Sequence, residues 1–303
     1  MKVFIIGNGF DIEHKLKTSY WDFRSFLERR YPDFLYSFEI NYDIYPGFSE
    51  DEKRRLLWNE FESNLDNIIE DVIIEDATSI VMGLEGGDVG IEDTLYYYFS
   101  KEFDYINKLS YYLKLWIRSI RIRDLQVRTT MINPESNDMY VTFNYTSVLQ
   151  NIYKIKENKI VHIHGSLRER DGNPIIGHGN YTKIEKIKEI QEEADELFDE
   201  KKVSISRAIR DYYVSTYKNV GLYMHRLDAL KNQNIEEIIV IGHSLSGVDM
   251  PYFTRINYYA ENKAKWKVYY HERENKNQMY KNLIECGIEE SQIVMEHSTE
   301  FFD

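Results

Sequence analysis

The sequence predicts an α/β protein, a doubly wound and mainly parallel sheet with a large helical insertion, and three observations lead there. Short β-branched apolar runs alternate with helical patterns through the second half of the chain, as strand–helix–strand units with right-handed crossovers require. More than a hundred residues of mainly helical pattern separate the first run from the next clear one. Four of the runs end in polar clusters: Gly7-Asn8-Gly9-Phe10-Asp11, Thr142-Phe143-Asn144-Tyr145-Thr146, His162-Ile163-His164-Gly165-Ser166 and Gly242-His243-Ser244-Leu245-Ser246-Gly247-Val248-Asp249. Ligands of open α/β sheets bind outside the carboxyl ends of the strands, so four such clusters point to one crevice and to a nucleotide.

Taken in order, Val3 to Ile6 reads as a buried first strand, and Thr18 to Tyr31 carries Tyr20, Phe23, Phe26 and Leu27 at helical spacing. Ser49-Glu50-Asp51-Glu52 is a capping-box signal that opens a helix through Leu56, Leu57, Phe61, Leu65, Ile68 and Ile69. Residues 83–90 read as a glycine-rich loop, and residues 92–123 as a long aromatic-rich helical pattern. Strands are predicted at Met139–Phe143, Ile160–Ile163, Glu237–Ile241, Trp266–Tyr270 and Ile293–Met295. Helices are predicted at Ser147–Tyr153, Arg207–Leu230, Met250–Glu261 and Gln278–Cys286, with the charged run Lys183–Lys202 as a solvated helix or arm. The chain is expected to form one α/β domain over 1–303, with the helical insertion at about 45–130 and the charged helical arm at about 182–232.

Composition limits the function classes. With 303 residues, 43% of them apolar, the chain can bury a full core. Its 51 acidic against 38 basic residues, net charge −13, argue against a nucleic-acid partner. The single cysteine, Cys286, excludes an internal disulfide and any zinc site built from several thiolates, so no structural zinc is expected. No run is apolar enough over a long enough stretch for a signal peptide or a membrane span, and a cytoplasmic protein without a membrane partner is expected.

The clusters carry the candidate chemistry. Gly7-Asn8-Gly9 stands where a phosphate-binding turn would stand, although the dinucleotide fingerprint's third glycine is replaced by Ile12. A tight turn without a ligand explains the same residues, and Asp11 fits a helix cap or a ribose contact. Asn144 ends a strand with a carboxamide suited to a ribose or an ordered water. His162 and His164 would share one strand face, and His178 is the available third histidine for a metal; His164, beside Gly165, suits a general base better. Gly242-His243-Ser244 imitates a nucleophile elbow, but Ser246 stands where that elbow needs glycine. A triad can be drawn with Asp249, His271 or His297 only by choosing freely. Ser244, beside a helix start near Gly247 to Asp249, fits better as a hydroxyl donor to a phosphate or ribose.

The run from Gly7 to Phe23, with Asp11, Ile12, His14, Leu16, Thr18, Ser19, Tyr20 and Asp22, resembles the opening of AbiH-family bacterial proteins, which are linked to abortive infection against phage. The Phe-Asn-Tyr-Thr, His-x-His-Gly and Gly-His-Ser-x-x-x-x-Asp elements extend that resemblance along the chain. The order of the clusters is also similar, more distantly, to sirtuin-like NAD-binding domains, which share a Rossmann-like sheet. That second resemblance implies Asn144 and His164 as catalytic residues. It implies Gly7, Asn8, Gly9 and Ser244 as binding residues for NAD, as substrate or ligand, and Phe10, Asp11 and Asp249, which stand in the same clusters, complete the candidate binding set. Lysine deacylation is disfavoured because the four-cysteine module of those deacetylases cannot be built. The expectation is therefore a phage-defence NAD glycohydrolase, with the aromatic helices of residues 96–116 as a lid. The alternatives are a non-catalytic nucleotide sensor or interaction module and a metal-dependent hydrolase or nuclease. A nucleotide, another copy of the chain and a phage-derived trigger are the partners expected.

Overall fold

Residues 1–70 and 105–302 are described in the computed structural model, the side chains of 105–107 excepted; the expected loop at 83–90 and the helical pattern of 92–104 lie outside them. The chain divides into two compact units: residues 1–19, 114–175 and 219–303, and residues 20–113 and 176–218. The boundaries expected for the insertion, 45–130, and for the arm, 182–232, differ from the two segments of the second unit.

The first unit holds one sheet of six strands: β1 (Lys2–Ile6), β2 (Met139–Thr142), β3 (Ile160–His162), β4 (Glu237–Ile241), β5 (Lys265–Tyr270) and β6 (Ile293–His297). Their order is β3-β2-β1-β4-β5-β6 and every pairing is parallel, so the unit has a Rossmann-like α/β fold. Strands buried on both faces read as continuous apolar runs, and alternate residues feed opposite cores. Val3, Ile5, Ile238 and Val240 enter one core with Tyr252, Phe253 and Trp266. Phe4, Ile6, Ile239 and Ile241 enter the other with Phe10, Tyr140, Tyr153 and Phe301. Chain order reverses between β1 and β4, and the carboxyl ends of those neighbours frame the crevice where this fold binds ligands.

In the second unit the helices Tyr20–Arg30 and Pro32–Ile40 pack aromatic rings on Trp58 and Phe61, which stack at 4.6 Å. The Arg24–Glu39 ion pair is buried there, and Glu39 also accepts from the Trp58 indole at 2.7 Å. The Ser49 capping box forms as predicted, but its helix does not run on to Ile69. A wide turn at Arg54–Trp58 and a break at Glu60 intervene, and the wide turn lets the adjacent Leu57 and Trp58 both be buried. The charged run forms two helices, Tyr181–Glu196 and Glu200–Ser215. The helix expected over Arg207–Leu230 stops at Ser215 because the next residues pair with His178: the His178 amide donates to Thr216, and the Lys218 amide donates to His178. Val220–Leu230 is a tighter helical stretch of the first unit.

Candidate functional site

Each predicted cluster lies at a strand end of the first unit, and contacts link neighbouring clusters into a closed ring. The first and fourth lock backbone to backbone. The Gly7 amide donates to the Ile241 carbonyl at 2.9 Å and the Gly9 amide to Gly242 at 2.8 Å. A Cβ on Gly7 would lie 2.4 Å from the Gly242 oxygen, and one on Gly242, whose φ is +71°, would lie 2.2 Å from the Phe10 nitrogen. The glycines are thus required by the approach of β1's turn to β4's, and the two amides foreseen for a pyrophosphate are already donated.

The first and second clusters are tied by side chains. Asn144 Nδ2 donates to the Gly7 carbonyl at 3.0 Å, which fixes the carboxamide's orientation and leaves its buried Oδ1 without a hydrogen-bond partner. Thr146 donates to Asp11 Oδ2 at 2.6 Å, while Asp11 Oδ1 is also buried and unpartnered. Burial pushes the Asp11 carboxyl up to about 7, against the pull of the Thr146 hydroxyl and the Asn144 carboxamide. The expected helix cap at Asp11 is therefore corrected: Gly7 occupies the cap of the short Asn8–Glu13 helix, and Asp11 lies inside it.

The second and third clusters meet at His162. Gln150 Nε2 donates to His162 Nε2 at 2.7 Å, so the ring's proton is on Nδ1, which donates to the Asn144 carbonyl at 3.1 Å. Burial holds this histidine's pKa below its usual value, favouring the neutral ring. The strand ends at His162, so His164 is not on the same strand face as expected but in the turn that follows. Arg226 donates to the carbonyls of His162 and Ile163 and anchors that turn.

The third and fourth clusters close the ring. His164 Nε2 and Asp249 Oδ1 are 3.0 Å apart, both side chains largely buried. His243 Nε2 faces the other oxygen, Oδ2, at 3.6 Å. The Leu245 amide donates to His243 Nδ1 at 2.9 Å, which assigns that ring's proton to Nε2, toward the carboxylate. Phe143 packs edge-on against both rings, at 5.1 and 4.4 Å between centroids. A carboxylate that receives His164 Nε2–H leaves the lone pair on Nδ1, the arrangement of a carboxylate-oriented base. Leu245 has a φ of +54°, so the turn carrying this pair is strained at a non-glycine residue.

Other expected residues stand apart from this pair. Phe10 is fully buried and packs on His14 and Tyr153 in the core. Asn8 is exposed, its side chain donating to the Thr18 carbonyl. Ser244 is exposed and accepts from Ser246 at 2.9 Å, with no bond to a histidine. His271 and His297 bond near the ends of β5 and β6 and form no triad with Ser244. His178 belongs to the second unit, where both ring nitrogens are bonded, to the Tyr213 carbonyl and the Asn180 amide. Among the described residues, no three His, Cys, Asp or Glu side chains are grouped to hold a metal ion. His243, Thr146 and Arg226 were not foreseen as site residues. For His243 a signal existed, since it sits in the fourth cluster; Thr146 and Arg226 matter only through partners distant in sequence. A cavity of about 210 Å³ opens beside Tyr145, Thr146 and His162. Among the described residues, no helix is long and apolar enough to cross a membrane.

Compared with known proteins, residues 3–270 match the family model described as "Bacteriophage abortive infection AbiH", a span that takes in all four clusters. No curated protein matches the chain.

Proposed function

The chain belongs to the AbiH family and so has a role in bacteriophage abortive infection, and from that premise we propose that its sheet-bearing unit binds NAD or a related nucleotide and hydrolyses the nicotinamide–ribose bond. The observation that carries this reading is His164, whose Nε2 lies 3.0 Å from Asp249 Oδ1 so that Nδ1 is the nitrogen left to act as base, at the strand ends where β1 and β4 part. In the reaction the carbon–nitrogen bond breaks, its electron pair leaves with neutral nicotinamide, and water forms the new bond to the ribose carbon. One proton is released, and His164 Nδ1 takes it up from the water. The negative charge of Asp249 then favours the imidazolium that results. Asn144 acts as a positioning residue, fixing the Gly7 turn.

The fit of a nucleotide constrains the reading. Because the Gly7 and Gly9 amides are donated to β4, the phosphates run past Asn8 and the exposed Ser244–Ser246 hydroxyl pair instead. The cavity of about 210 Å³ is below the range that encloses drug-sized ligands, roughly 300–1,000 Å³, so a dinucleotide lies across the strand ends rather than inside it. Strand-end side chains spent on holding one another, Asn144 on Gly7 and Thr146 on Asp11, favour a second reading, a binding-only sensor whose fold responds to nucleotide.

Chromatography of NAD incubated with the purified chain separates the two. Catalysis predicts nicotinamide release that slows by about 10²-fold or more in His164→Ala, compared at a temperature at which both chains are folded, and a smaller loss in Asp249→Asn. Wild-type turnover by His164→Ala removes the proposed base. Saturable NAD binding without product assigns the sensor reading.

A further inference from the structure

The turn joining the helices Tyr181–Glu196 and Glu200–Ser215 displays the most exposed large apolar side chains among the described residues: Leu197 is 75% exposed and Phe198 91%. Three backbone bonds close the first helix: the Leu197 amide to Glu193, Phe198 to Asp195, and Asp199 to Ala194. That pattern places a left-handed residue after the helix, a position glycine ordinarily fills. Here it is Phe198, with φ of +54°. A bulky residue in that region is unfavourable, and its exposed ring returns no burial to the fold. Asp195, Glu196, Asp199 and Glu200 flank the pair, with Lys201 and Lys202 following, so the tip is apolar in an acidic setting.

The sheet-bearing unit carries a matching surface. The cavity of about 210 Å³ has an apolar wall of Ile117, Ile120, Ile122 and Leu167, a more polar side toward the strand-end clusters, and the Arg118 and Arg168 side chains also lining it. Arg168 pairs with Glu157, whereas Arg118 is exposed and makes no ion pair among the described residues. An apolar cavity of about 150 Å³ accommodates a benzene molecule, so this one has room for a phenyl ring. Size and opposite charge match, and the isoleucine and leucine wall supplies the apolar contact.

We propose that Phe198 of one copy inserts into the Ile117–Ile120–Leu167 cavity of a second copy, with Arg118 of the second copy facing the acidic flank of the tip. Tip and cavity are different patches, so the contact is heterologous and can extend beyond a dimer. It buries little area and is weak and concentration-dependent. The contact does not depend on the reading of the strand-end histidine.

The test is sedimentation equilibrium of the full chain over a concentration series up to its solubility limit, for wild type, Phe198→Gly and Arg118→Glu. The wild-type average mass should climb above that of one chain with concentration. Phe198→Gly should remain monomeric while melting at a higher temperature, because glycine suits the left-handed position. Arg118→Glu should remain monomeric with an unchanged melting temperature. Mixing the two variants should restore a dimer and nothing larger, since one supplies an intact tip and the other an intact cavity. A wild type monomeric at every concentration assigns the tip to another partner and overturns the proposal. So does a Phe198→Gly chain that associates as wild type does, or a mixture that stays monomeric.

Discussion

Asp11 and Asn144 set the chemistry of the ring at the scale of single residues. Each has a buried oxygen with no hydrogen-bond partner, and a buried carboxyl with one oxygen unpartnered is better held in its neutral, protonated form. That accords with a carboxyl whose pKa is raised from 3.8 to about 7 by burial. Below the lower value folded and unfolded chains are both protonated there and folding bears no penalty. Above the upper value both are ionised, and the folded chain alone holds a buried carboxylate. Stability is therefore lost as pH rises from about 4 to about 7, by at most about 4 kcal/mol. Asp11→Asn supplies an uncharged donor in the same shape while still accepting from Thr146. Urea midpoints at about pH 5 and pH 8 should fall for wild type and fall less for Asp11→Asn; equal falls would show that the site does not hold the proton. Sequence alone offers a helix cap or a ribose contact for Asp11, the cap being the simpler of the two. Its actual partner, Thr146, is 135 residues away, and nothing local signals it.

Among the elements, strands were the most legible, because a strand buried on both faces must be an apolar run and its end must turn polar. Helix ends were less so. The pattern continuing past Ser215 was overridden by backbone pairing to His178, and the helix after Ser49 by the burial of adjacent Leu57 and Trp58. The glycines after β1 were legible as a tight turn and equally as a phosphate turn, and Gly242 after β4 as part of a nucleophile elbow. Their interlock favours the first origin, since Gly7, Gly9 and Gly242 have no room for a Cβ. Gly242→Ala is accordingly expected to destabilise the chain by about 2 kcal/mol or more, with the left-handed φ contributing roughly 1 of that. Chemical denaturation without nucleotide checks it. Wild-type stability would mean that the glycine is kept for a ligand instead.

Over the whole molecule, the order β3-β2-β1-β4-β5-β6 brings four sequence-distant clusters to one edge of the sheet. A list of strands does not contain that order, which is why the clusters were legible one by one while their pairings were not. His164 was legible as a base by its place at a strand end, but its partner Asp249, 85 residues on, was read as a nucleotide contact. The acidic net charge of −13 argues against a nucleic acid as the ligand. The central claim joins abortive infection to hydrolysis of NAD at His164, and the measurement that tests it most directly is the NAD content of bacteria expressing the chain, followed after phage addition. The account predicts an early fall in NAD with protection of the culture, and loss of both effects in His164→Ala expressed to the same level. Protection with NAD unchanged, or an undiminished fall in His164→Ala, would contradict it.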